Sequence, residues 1–168
     1  MSRKKAKFIK YENKIQKKAG FGEIPEVAIL RAENALLNNT VDFKEIAIPM
    51  LSQLRETIKL AKESPEKINN LHQNLITPIM GLKANGAMFK YELVGSLASI
   101  MLSFLEHIQE LNNDALEIVE AHEKTLTLII SKTIKGDGGA MGKQVVEELE
   151  SACGRYYRKN PDQFQPRS

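Results

Sequence analysis

The sequence predicts an all-α protein: an antiparallel four-helix bundle with additional helices on its N-terminal and C-terminal sides. Two observations carry this. Apolar residues recur every three or four positions along most of the 168-residue chain, and no stretch alternates apolar and polar residues over a useful strand length. Short breaker-rich segments separate the periodic stretches, and short connections between long amphipathic helices favour antiparallel neighbours. The composition, 42 % hydrophobic and 27 % charged, is ordinary for one globular domain. A chain of this length can bury a core without disulfides or metal.

The elements follow in order. Gly20-Phe21-Gly22 closes a basic arm, residues 1–22. The pattern turns helical at Ile24, with Pro25 at a first helical position and Val27, Leu30, Leu36 and Leu37 as a rough apolar face. Asn38-Asn39-Thr40 reads as a stop. A second helix runs from about Asp42 to Glu63 with Ala47, Met50, Leu51, Leu54, Ile58 and Ala61 on one side. Pro49 is expected to kink it or to mark where its regular part begins. Ser64-Pro65 predicts the start of a third helix, with Ile68, Leu71, Leu75, Ile79 and Leu82 on one face, a kink at Pro78 and a stop at Asn85-Gly86. A long helix is expected from about Met88 to Leu111, and another from Asn112-Asn113-Asp114 to about Ile134. Gly136 to Gly139 reads as a loop. A last helix carries Val145, Val146, Leu149, Cys153 and Tyr156, and ends at Asn160-Pro161. The body therefore spans residues 23–159, and residues 160–168 form a polar tail.

Charge is distributed unevenly. Arg3, Lys4, Lys5, Lys7, Lys10, Lys14, Lys17 and Lys18 face the single acid Glu12, so the first 18 residues carry +7, and the remainder carries −4. Such an arm suits nucleic acid, an anionic membrane surface or an acidic partner, or serves simply as a solvated terminus. One cysteine excludes an intramolecular disulfide and predicts a reducing, cytoplasmic setting. No apolar run approaches the roughly 20 residues that span a bilayer, and the basic N-terminus lacks the apolar stretch of a secretion signal.

No complete enzyme active site is legible, and neither a metal nor a cofactor is expected. Gly136 to Lys143 reads GDGGAMGK, which has the look of a phosphate-binding loop. However, Asp137 stands where its first glycine belongs and Gln144 where a magnesium-binding Ser or Thr belongs, and no strand precedes it. The histidines His72, His107 and His122 are far apart and lack metal-ligand spacing. His122 falls on an apolar stripe and reads as a satisfied, inward-facing side chain. Cys153 has no recognisable base.

One segment stands out. Met80 to Val94 reads MGLKANGAMFKYELV. Leu82-Lys83-Ala84-Asn85-Gly86 and Phe89-Lys90-Tyr91-Glu92-Leu93-Val94 resemble the motif of the histidine phosphotransfer (Hpt) domain family of two-component phosphorelays, in the form found in alphaproteobacteria. The resemblance extends more weakly over residues 26–152, through Val119 to His122 and Ile134 to Gly138. It implies a four-helix bundle that docks the receiver domain of a response regulator or of a hybrid histidine kinase. The family's phosphoaccepting histidine aligns with Met80, and Ala84 and Lys90 replace two of its glycines. A thioether cannot take a phosphoryl group as an imidazole nitrogen does. The resemblance thus implies a degenerate member, a pseudo-phosphotransferase that binds or regulates a receiver without carrying phosphate.

Helical geometry puts Met80 about 100° past Ile79 of the core stripe. His72, Gln73, Ile76, Met80, Lys83 and Ala84 then share one partly exposed strip, the face on which the resemblance places the receiver. Met80 is either part of a docking surface or a residue at the edge of the core. Two other functions are weighed: an active phosphotransferase using His72, and an adaptor that binds nucleic acid or an anionic surface through its basic arm.

Overall fold

The computed structural model of the chain describes residues 18, 24–37, 42–64 and 70–163. These include six α-helices and no β-strand: α1 (Glu26–Leu37), α2 (Phe43–Glu63), α3 (Leu71–Met88), α4 (Glu92–His107), α5 (Asn113–Ser131) and α6 (Gly139–Lys159). A 3-10 turn, Pro161–Gln163, follows. No described helix is long and apolar enough to cross a membrane. The chain divides into two units between Thr40 and Val41, whereas the sequence reading draws its boundary after residue 22.

The first unit contains α1. Val27 and Leu30, expected on its apolar face, are exposed, as are Ile24 and Ile29. The side chains of Leu36 and Leu37 lie outside the described residues, as do Arg3, Lys4, Lys5, Lys7 and Lys10 of the arm.

The second unit is a helical bundle. Asp42 caps α2, its Oδ1 accepting the Lys44 backbone N–H at 3.0 Å. Phe43, Ala47, Leu51, Leu54, Ile58 and Ala61 are buried at spacings of three and four, the stripe the sequence shows, and Met50 lies half-buried beside them. The helix runs through Pro49, which sits on its exposed side. Ser64 N–H bonds to Leu60 O at 2.8 Å and closes the α2 hydrogen-bond ladder. The helix that carries Leu75, Ile79 and Leu82 starts later than the expected Ser64-Pro65, because Asn70, with a left-handed backbone at φ 56°, stands at its N-cap. Ile68 lies outside the described residues, and α3 begins at Leu71. The expected stop at Asn85-Gly86 is also overrun. Phe89 N–H takes Asn85 O and Tyr91 N–H takes Gly86 O, so those carbonyls stay satisfied and α3 reaches Met88. The next helix consequently starts at Glu92 instead of Met88.

Pairs of named contacts fix the helix directions. Phe43 stacks on Phe89 while Met50 lies against Gly81, so α2 and α3 run antiparallel. The His72 ring reaches Leu105 O while Gly86 sits against Val94, which makes α3 and α4 antiparallel. Lys44 Nζ donates to Ser131 O and Arg55 to Glu123, so α2 and α5 are antiparallel too. α6 lies on α4 and α5. It runs parallel to α4, with Leu93 against Gly138 and Phe104 against Tyr156. Leu75, Ile79, Leu82, Leu97, Leu105 and Leu126 are fully buried at the centre, and each such side chain contributes about 1.5–3 kcal/mol.

Beyond α6, Gln163 latches the α4–α5 connection. Its carbonyl accepts from Gln109 N–H and its Oε1 from Glu110 N–H, both at 3.1 Å.

Candidate functional site

α3 sets out the site by its periodicity. Leu75, Ile79 and Leu82 point into the core with no exposed surface. Met80, one residue on, is turned outward and is 57 % exposed. His72, Gln73, Lys83 and Ala84 are exposed as well, and Ile76 is half-buried against the core. The six strip residues therefore share one face of α3, within an arc of about 120°. Lys83 forms no ion pair with a described residue.

Details within the strip separate its members. The His72 Nε2–H donates to the Leu105 carbonyl at 2.7 Å, which ties the ring to α4. Gln73 is drawn along its own helix, its Nε2 donating to Thr77 Oγ1 at 3.1 Å. The apolar and cationic centre of the strip is therefore Met80, Lys83 and Ala84, with His72 about 12 Å up the helix at 1.5 Å per residue.

The structure adds a second wall that the sequence reading missed. Lys83, Ala84 and Ala87 of α3 face Glu92, Gly95, Ser96 and Ser99 of α4 across an open groove of about 510 Å³. Small side chains on both helices leave this space. A Cβ added at Gly95 would come within 4.0 Å of Lys83 O, so the backbones lie close beneath the groove floor. A stretch of small residues on α4 was the available signal, but only the pairing of α4 with α3 gives it meaning.

Lys90 lies in the turn that follows α3. It holds a left-handed backbone, φ 62°, at the position where the resembled motif carries glycine. A side chain costs about 1 kcal/mol there. The conformation is held from both sides: Lys90 N–H donates to Ala87 O and Lys90 O accepts from Gly136 N–H at 2.8 Å, while Leu93 N–H takes Gly136 O at 2.9 Å.

The remaining candidates have structural roles. In GDGGAMGK, Gly138 is left-handed with φ 72° and caps α6. A Cβ at Gly142 would collide with the Asp137 carbonyl. Asp137 Oδ1 accepts from Gly139 N–H, so the loop's own carboxylate occupies the α6 N-terminus. Cys153 is buried, and that burial pushes its thiol up to about 11, away from the thiolate a nucleophile needs. His122 is inward-facing as expected, but only half satisfied. Nδ1–H donates to Ile118 O at 2.9 Å, and buried Nε2 has no partner. Burial lowers its pKa and keeps the ring neutral. Among the described residues, no group of three or more His, Cys, Asp or Glu side chains could hold a metal ion.

Glu123 was not anticipated. It is 2 % exposed and accepts from Arg55 Nη2 at 2.7 Å, Arg55 Nε at 3.2 Å and Thr127 Oγ1 at 2.8 Å. Beside it, Glu120 is held down to about 2 by hydrogen bonds from Lys124 and Lys62. These groups tie α5 to α2.

Compared with known proteins, the chain matches no family model, no curated protein and no solved structure.

Proposed function

We propose that this protein is a degenerate histidine phosphotransfer-like signalling protein. It docks the receiver domain of a response regulator or hybrid histidine kinase without accepting phosphate. The observation that carries the reading is Met80, 57 % exposed on the outward face of α3. It lies three residues before an exposed Lys83 and beside a groove of small side chains. In an Hpt-type four-helix arrangement this is the face the receiver meets. A methionine there contributes apolar, adaptable contact but no phosphoryl acceptor. The lysine offers a cation to the acidic phosphorylation site of a receiver.

The test uses purified receiver domains carrying labelled phosphate. Wild type is expected to bind a receiver and remain unlabelled. Met80→His places an imidazole three residues before Lys83 and is expected to gain acid-labile, base-stable label. Lys83→Glu is expected to weaken docking by about tenfold or more through like-charge repulsion, and Ala84→Phe by steric block. Label on His72 of the wild type would make the protein an active phosphotransferase. Absence of binding to every receiver, by wild type and Met80→His alike, would overturn the reading.

A further inference from the structure

We infer that the N-terminal unit is a two-part anchor for an anionic bilayer surface, in which the lysines of the arm supply attraction and the apolar side chains of α1 supply insertion. Two independent observations meet here. The first 18 residues carry +7, and the unit they belong to, residues 1–40, nets +5 (nine basic, four acidic), against −2 (fifteen basic, seventeen acidic) for residues 41–168. The second is structural. Immediately after the arm, Ile24, Val27, Ile29 and Leu30 are 70, 57, 45 and 53 % exposed. Four large aliphatic side chains in seven residues are left in water, on a segment with only three charged residues, Glu26, Arg31 and Glu33, between Ile24 and Leu37.

The combination selects the occupant. A polybasic segment alone is drawn equally to nucleic acid and to acidic lipid, because both offer phosphate. Exposed aliphatic side chains have no role along a phosphate backbone, where bases are met by aromatic and hydrogen-bonding groups. At a bilayer they enter the boundary between headgroups and acyl chains, and stable anchoring takes two such signals acting together. Glu26 and Glu33 limit the charge attraction of α1 itself, so the electrostatic part falls to the arm. The bundle, with its exposed α3 strip, would then be presented at the membrane surface.

The full chain is tested by flotation with vesicles of phosphatidylcholine alone and with about 30 % phosphatidylglycerol added. Binding is expected only to the anionic vesicles, with a steep fall as salt rises from about 50 to 300 mM. The double variant Val27→Asp/Leu30→Asp is expected to lose at least about fivefold in vesicle affinity, and Lys4→Glu/Lys5→Glu/Lys7→Glu a similar amount. Both should keep the wild-type circular dichroism and unfolding midpoint, since Val27 and Leu30 are exposed and lysines almost never form part of a core. Three results would each overturn the inference: no vesicle binding by the full chain, a Val27→Asp/Leu30→Asp variant that binds as well as wild type, or tighter binding to an RNA oligonucleotide than to anionic vesicles. Receiver docking enters none of these readouts, so the anchor and the docking reading stand or fall separately.

Discussion

The seam between α2 and α5 and the seam between α3 and α4 are both built from antiparallel helices, yet they are finished in opposite ways. Along α2–α5, long polar side chains bridge the helices. Lys44 reaches the Ser131 carbonyl, Arg55 reaches Glu123, and Lys62 reaches Glu120. Along α3–α4 the bordering residues are, apart from Lys83 and Glu92, small ones, Ala84, Ala87, Gly95, Ser96 and Ser99, and a groove remains open. The difference is one of side-chain length. Bridging chains cover the first seam and fix its register. Small residues on the second keep the backbones close but leave the outer surface uncovered, with Lys83 lining it and Met80 about one turn away along the same face of α3. A surface left open in this way is where a partner can supply the missing layer.

The largest effect is expected at the closed seam. Arg55→Ala strips Glu123, 2 % exposed, of two of its three hydrogen bonds and leaves a buried carboxylate with only Thr127. Because Arg55 is itself half in water, the loss should fall below that of a fully buried pair, at about 1–3 kcal/mol. Urea unfolding of the two proteins measures it. A cost below about 0.5 kcal/mol would mean that water replaces the guanidinium at no penalty, and that the seam is closed by its apolar contacts alone.

A smaller effect of opposite sign is expected where α3 hands over to α4. Lys90 carries a side chain at φ 62°. Lys90→Gly removes the steric cost of that conformation and adds chain entropy to the unfolded state, and the first term is the larger for a left-handed residue. The net expectation is about 0.5–1 kcal/mol of stabilisation, seen as a higher thermal midpoint. Destabilisation would show instead that the lysine side chain makes a contribution outweighing its strain.

The two seams also differ in how far they can be read from sequence. The α2 stripe and the outward turn of Met80 were legible, because a period of 3.6 residues decides which side of a helix meets the core before any partner is known. The bundle class followed from the same periodicity and from the short connections. Element starts were less legible. Ser64-Pro65 has the chemistry of a helix start, but the helix carrying Leu75 and Ile79 begins at Leu71, after a left-handed Asn70 that nothing in an asparagine side chain announces. Glu123 was not legible because its partner is 68 residues away in α2. The α4 wall of the groove was illegible for a similar reason: Gly95, Ser96 and Ser99 gain meaning only when α3 lies beside them. Lys90 is the extreme case, since nothing in a lysine announces a positive φ, and only its place in the resembled motif pointed toward glycine.

The smallest stability change is expected on the open seam, and that smallness decides between the two meanings of Met80. A docking residue projects into water in the free protein, so truncating it removes little buried surface. A residue at the edge of the core would lose packing. Met80→Ala and Lys83→Ala should therefore each change the unfolding free energy by less than about 0.5 kcal/mol, as surface substitutions do. At 57 % exposure most of the Met80 thioether is already solvated in the free protein. The same two variants should weaken receiver binding, Met80→Ala through lost apolar contact and Lys83→Ala through a lost cation near the receiver's acidic site. Calorimetric unfolding and a receiver-binding titration on one set of samples give both numbers. A cost of more than about 1 kcal/mol for Met80→Ala, with binding unchanged, would assign the methionine to the core edge.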